Sequence, residues 1–124
     1  KHFPLDQIHS KADKEAEATE CAGELGGNNA FWAYIDRVFE VTPSNNGLDL
    51  ALLPAIAQDI GLDKGRFESC LSSGKYTEKV ETQFQEGVRL GVDGTPGSFV
   101  NGERIRGAIP FEALKVMIDT QLAK

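Results

Sequence analysis

The dipeptide Asn101-Gly102, flanked by Ser98-Phe99-Val100 and Arg104-Ile105-Arg106, constrains this chain more than any other feature. Both central residues of a two-residue type I′ turn need positive φ, and Asn-Gly meets that need at least steric cost. The segment therefore reads as an antiparallel hairpin. Upstream of Gly91 the apolar residues follow helical spacing instead, so the expected order is a strand end, five helices, the hairpin and a last helix.

Local signals divide the helical region. Ser10 stands three residues before Asp13, and a first helix is predicted over residues 11–25. Ala12, Ala16, Cys21, Ala22 and Leu25 form a small-residue stripe on it, and Gly26-Gly27 stops it. Asn28-Asn29 caps a second helix whose Phe31, Tyr34, Ile35, Val38 and Phe39 fall at i, i+3, i+4, i+7 and i+8. With Trp32 beside them, these side chains are expected in the core rather than around a ligand. Residues 42–47 form a turn cluster. Asp49 caps a third helix carrying Leu50, Leu53, Ile56, Ala57 and Ile60, with Pro54 predicting a kink or a later start. Asp63 caps a fourth, with Phe67, Cys70 and Leu71, closed by Gly74; Thr77 opens a fifth, with Val80, Phe84 and Val88, ending at Gly91. Pro110 starts the final helix, with Phe111, Leu114, Ile118 and Leu122 on one face. Pro4 limits residues 1–5 to a strand end or edge. No repeat, low-complexity tract or linker interrupts the sequence, so residues 1–124 read as a single domain.

Charge narrows the partners. With 13 basic and 19 acidic side chains the net charge is −6, which repels phosphate backbones and anionic lipid heads, so nucleic acid is not expected as a partner. The longest apolar run, residues 50–57, contains Pro54; a membrane span needs ~20 residues, and no membrane insertion is expected. The chain opens Lys1-His2-Phe3-Pro4-Leu5 without an initiator methionine or a signal segment, and the expectation is that something upstream has been cut away. Two cysteines and two histidines would all be needed, at unrelated spacings, for a four-ligand zinc site, so neither metal nor cofactor is expected. His2 and His9 have no carboxylate or cysteine at ligand or triad spacing, and no catalytic role is expected of them. Asp13, Glu15, Glu17 and Glu20, interspersed with Lys11 and Lys14, read as a solvated helix face. Cys21 and Cys70 are too far apart for a short redox motif. Two readings stay open for them: buried reduced thiols, or one long-range disulfide contributing roughly 4 kcal/mol on the chain-entropy model.

The stretch Gly91-Val92-Asp93-Gly94-Thr95-Pro96-Gly97-Ser98-Phe99-Val100-Asn101-Gly102, followed by Gly107 and a helix, is the most specific in the chain. It resembles the C-terminal half of thioredoxin-fold proteins of the DsbA type, the bacterial thiol–disulfide oxidoreductases. Upstream, KHFPL, AEATECA, FWAYIDRVFE and DIGLDKGRFESCL follow in the order seen in that family, so the resemblance covers nearly the whole chain. It implies an α+β, mainly helical, partial thioredoxin-like fold: an inserted helical segment over residues 10–90, then a cis-proline loop, hairpin and helix over residues 91–124. It implies a cis peptide at Thr95-Pro96, with Gly94, Thr95 and Pro96 binding substrate. Thr95 would present its N–H and C=O as a strand edge to cysteine-containing client polypeptides. It further implies a structural bridge between Cys21 and Cys70, because some relatives join cysteines at the matching positions. The implied location is periplasmic or otherwise extracytoplasmic.

One departure from that family is large. Its reactive Cys-x-x-Cys sits at the start of the first core helix, where the helix N-terminus favours the thiolate, and this chain has no such motif. The first strand and that helix are expected to be missing, and the chain alone to be inactive in thiol–disulfide exchange. Unpaired strand edges would follow. Residues 1–5 re-pairing with the hairpin, a second copy completing the sheet, or a small two-stranded sheet under a helical layer would each answer them, and the last is expected. Two other functions fit the same residues: a redox-inactive thioredoxin-like module that binds peptides, and an enzyme of the glutathione-transferase kappa kind with serine in place of the reactive cysteine.

Overall fold

In a computed structural model describing residues 1–124, the helices follow the local signals closely. Helix α1 (Ala12–Val41) is broken at Gly27, whose φ of 75° and ψ of −166° lie in a region that only glycine adopts readily. The Gly26-Gly27 stop is therefore present, and the second helical segment resumes without an intervening loop. Gly26 serves packing instead: a Cβ there would fall 2.9 Å from Leu62 Cδ2. Asp49 accepts from the Ala51 N–H at the start of a 3-10 turn (Leu50–Leu52) that leads into α2 (Leu53–Asp59). Pro54 thus stands in the first turn of α2, where its missing N–H costs no hydrogen bond. A Schellman closure ends α2: Leu62 N–H bonds the Ala57 carbonyl and Gly61 N–H, at φ 86°, bonds that of Gln58. Asp63 accepts from Arg66 N–H (2.7 Å) to cap α3 (Lys64–Ser73), and Gly74 closes it in the left-handed region. Helix α4 follows (Thr77–Arg89).

The chain divides into two compact units, Lys1–Phe84 and Gln85–Lys124. The core of the first lies where α1, α2 and α3 meet. Ala18, Cys21 and Ala22 keep the α1 surface thin, so Phe67 and Cys70 of α3 and Leu53, Ile56 and Ala57 of α2 pack close against it. Tyr34 stacks on Phe67 (centroids 5.3 Å apart) and donates its hydroxyl to the Leu53 carbonyl, which removes the cost of burying that oxygen. A disulfide between Cys21 and Cys70 joins α1 to α3. Lys11 Nζ donates to the Asn46 and Leu48 carbonyls and ties the 42–47 turn to the start of α1.

In the second unit β1 (Gly97–Val100) and β2 (Glu103–Arg106) form a two-stranded antiparallel sheet, with Val100 opposite Glu103 and Ser98 opposite Ile105. Asn101 (φ 48°) and Gly102 (φ 82°) supply the two positive-φ residues of the turn. Helix α5 (Phe111–Leu122) packs against β1, and Gln121 Nε2 donates to Glu103. The fold is α+β, mainly helical and partially thioredoxin-like, with the small sheet expected of it.

Three expectations are overturned. Residues 1–5 form no strand: Phe3 stacks on Phe84 and the His2 N–H donates to Gln83 Oε1, so side chains rather than a ladder hold this segment. Of the aromatic stripe only Tyr34 is buried, while Trp32 and Phe39 are 56% and 78% exposed, because α2 and α3 fill the core from the other side. The acidic face of α1 is not solvated throughout. Glu17 is 3% exposed and pairs with Lys14, and Glu20 lies between His2 and Lys79. In α5 no residue is fully buried, and Phe111, Val116 and Leu122 stand out from the surface.

Candidate functional site

Four links fix the loop from α4 to β1. Gly91, at φ 80°, ends α4 in a second Schellman closure, its N–H bonding the Val88 carbonyl while the Val92 N–H bonds that of Gly87. Val92 folds over Gly97, whose missing side chain leaves the room: a Cβ there would meet Val92 Cγ1 at 3.1 Å. The Asp93 carboxylate accepts from Arg104 Nη2 and stands 3.8 Å from Arg106 Nη2. Beyond the turn of the loop, the Pro96 carbonyl accepts from the Gly107 N–H (3.0 Å), prolonging the hairpin pairing by one step.

Thr95 lies between these links. Its peptide bond to Pro96 is cis, both residues are exposed, and Gly94 is half-buried. No hydrogen bond within the chain engages the Thr95 N–H or carbonyl, so both are available to a partner strand. Pairing runs through Ser98 and Val100 toward β2, and the alternation of an antiparallel ladder leaves the backbone groups of Gly97 and Phe99 on the outer side. The open edge of β1 therefore reads Gly97, Phe99, with Thr95 ahead of it across the cis bond. It carries no charged side chain, whereas β2 carries Glu103, Arg104 and Arg106.

Sequence reasoning had no signal for the contacts around His2. Its Nε2 lies 3.0 Å from Glu20 Oε1 and 3.4 Å from Thr19 Oγ1, while Lys79 Nζ holds the other Glu20 oxygen at 2.6 Å. Burial lowers the His2 pKa, and the hydrogen bond and charge of Glu20 work against that shift. Glu15, on the same helix face, has its carboxyl pKa raised, first by burial. No group of three or more His, Cys, Asp or Glu side chains is arranged to hold a metal ion. The Asp93–Arg104 contact was likewise missed. Its trace in the sequence is faint: arginines two apart on a strand share one face, and an aspartate precedes the proline.

A family profile described as Thioredoxin matches residues 1–120. The chain belongs to the thioredoxin family. Relatives of this thioredoxin-family chain include the Na(+)/H(+) antiporter NhaA 1 of Salinispora arenicola, 31% identical over 123 residues. The NhaA 3 antiporter of Salinispora tropica is also 31% identical over 123 residues, and the NhaA antiporter of Herminiimonas arsenicoxydans 31% over 119. The alignments take in 99%, 99% and 96% of this chain but 18% of each antiporter. The chain thus spans about a fifth of the length of the curated relatives it matches. No solved structure matches. None of its helices is long and apolar enough to cross a membrane.

Within this thioredoxin-family chain the sulfur chemistry lies in the Lys1–Phe84 unit and the Thr95-Pro96 loop in the other. Cys21 and Cys70 are 1% and 7% exposed, and no cysteine is free. Exchange requires a thiolate to reach a sulfur along the bridge. Both sulfurs of the bridge lie in the buried core where α1 and α3 meet.

Proposed function

We propose that this chain is the client-docking part of a DsbA-type thiol–disulfide oxidoreductase. In this reading the Thr95, Gly97 and Phe99 edge receives an extended cysteine-containing segment by β-pairing. The observation that carries it is the exposed Thr95-Pro96 loop with unbonded Thr95 backbone groups, on a strand free of charge, in a thioredoxin-family chain. Charged side chains on an edge discourage pairing, and only the β2 edge has them. Gly94 and Pro96 give the loop its shape, and Thr95 donates and accepts the first two hydrogen bonds. The reactive dithiol would be supplied from outside this sequence, which has no Cys-x-x-Cys. The disulfide supports an oxidising, extracytoplasmic setting, since such bridges persist there.

The test has two arms. Reduced, alkylated insulin B chain, fluorescently labelled, is expected to bind the chain and to lose affinity when Thr95 is replaced by proline, which removes the N–H donor. Insulin reduction driven by dithiothreitol is expected to run at the background rate. Turnover above background would assign redox activity to Cys21 and Cys70 and defeat the reading.

The similarity to proteins named as antiporters favours a second reading, in which a thioredoxin-like module without redox cysteines holds a peptide for the transporter that carries it. The coding sequence ahead of Lys1 separates the two: Cys-Pro-x-Cys at the start of a helix supports the oxidoreductase, and its absence supports the module.

A further inference from the structure

Between the Schellman closure at Val92 and the Pro96 carbonyl, residues 93–95 make one hydrogen bond within the chain, through the Asp93 carboxylate. A Cβ at Gly94 would meet open space, so no side-chain contact could brace the loop there. The partner of that carboxylate is not an ordinary surface cation. The Arg104 side chain is 19% exposed, and its Nε is buried without a hydrogen-bond partner. Its Nη1 also lies 3.4 Å from where a Cβ of Gly91 would be, so the guanidinium lies against the start of the same loop. Arg104 stands opposite Phe99, and Arg106 opposite Gly97, on the face over which Val92 folds.

We propose that Asp93 and Arg104 are a positioning pair that holds Thr95 in register with Gly97 and Phe99, with Arg106 as a weaker second contact. The proposal rests on the docking reading of that edge. An added strand gains affinity from consecutive backbone hydrogen bonds, so the edge must be ordered before the partner arrives. With only the ends of the loop tethered, Thr95 would swing about Asp93 and Gly94, and ordering it would draw on the binding free energy. The arginines are thereby assigned away from anion binding, because Asp93 occupies the face they share.

A double-mutant cycle tests it, with D93N, R104Q and D93N/R104Q compared with the unaltered chain. Two signals are read: the backbone 15N heteronuclear NOE at Gly94 and Thr95, and the affinity for labelled, alkylated insulin B chain. Each single variant is expected to lower the NOE at both residues and to weaken binding by roughly three- to tenfold. The double variant is expected to go no further, and the helical circular-dichroism signal to stay constant. An unchanged NOE in D93N overturns the positioning role, as do additive losses in the double variant. If the unaltered chain binds no peptide, the docking reading falls and the role goes with it. Equal binding by the unaltered chain and D93N overturns the pair alone.

Discussion

At the scale of single residues, burial decides roles that residue type leaves open. Glu17 and Glu20 belong to a charged run that would ordinarily face water, yet Lys14 pairs with one and His2 with Lys79 enclose the other. Glu15 is compensated only in part. Burial raises its pKa, the charge of Asp13 adds to that, and Lys11 and His9 oppose it. A raised folded-state value means that the folded chain holds this proton more tightly than the unfolded one. The resulting stability is full below the ordinary carboxylate pKa and is lost as pH rises through the folded value. Glu15→Gln is therefore expected to raise the melting temperature at pH 7 by about a degree or two, the gain shrinking toward pH 4. Melting curves at the two pH values check it, and an equal gain at both would refute the assignment. The local pairs Lys14–Glu17 and Lys11–Glu15 follow from helical spacing, but the burial of these acids and the contacts of Glu20 with His2 and Lys79 were not legible in the sequence, because they bring in other elements.

Elements were far more legible, since caps and turns are decided within a few neighbouring residues. Asp49 and Asp63 accept the hydrogen bonds their positions suggest, and Asn101-Gly102 makes the turn it encodes. Gly27 is the sharpest case. Its backbone angles are accessible to glycine and strained for any side chain, although a Cβ would touch nothing. Gly27→Ala is accordingly expected to cost about 1–3 kcal/mol through the backbone alone. The urea midpoint reads that loss, and no change would mean that α1 can straighten freely. Element faces were less legible. The spacing in α5 puts Phe111, Leu114, Ile118 and Leu122 on one face but says nothing of what covers it, and Phe111 and Leu122 are largely exposed.

On the scale of the whole molecule, charge and covalent cross-linking are unevenly distributed. The Lys1–Phe84 unit holds eight basic and fourteen acidic side chains, and Gln85–Lys124 holds five of each. The net charge of −6 therefore belongs to the helical unit, and the unit bearing the open edge is neutral, so under the proposed docking role its own charge would contribute little long-range steering. The helical unit also holds the disulfide, which spans 49 positions. Replacing Cys21 and Cys70 together by alanine is expected to destabilise that unit by roughly 2–5 kcal/mol. Urea unfolding followed by Tyr34 and Trp32 fluorescence measures the loss, and reductant should shift the midpoint of the unaltered chain in the same direction. An indifferent midpoint would show that the bridge carries no stability.

Local backbone requirements were within reach of the sequence alone. The hairpin, the capped helices, the break at Gly27 and the bend at Thr95-Pro96 depend on which residues tolerate positive φ, lack an N–H or accept a nearby one, and the first three needed no knowledge of distant partners. The Cys21–Cys70 pairing was implied by the family resemblance and by no spacing in the chain, while the enclosure of Glu20, the coil of residues 1–5 and the grip of Arg104 on Asp93 were decided only in three dimensions. Each joins groups that the chain separates by several turns or by a whole element, and no spacing rule encodes which surfaces folding will bring together.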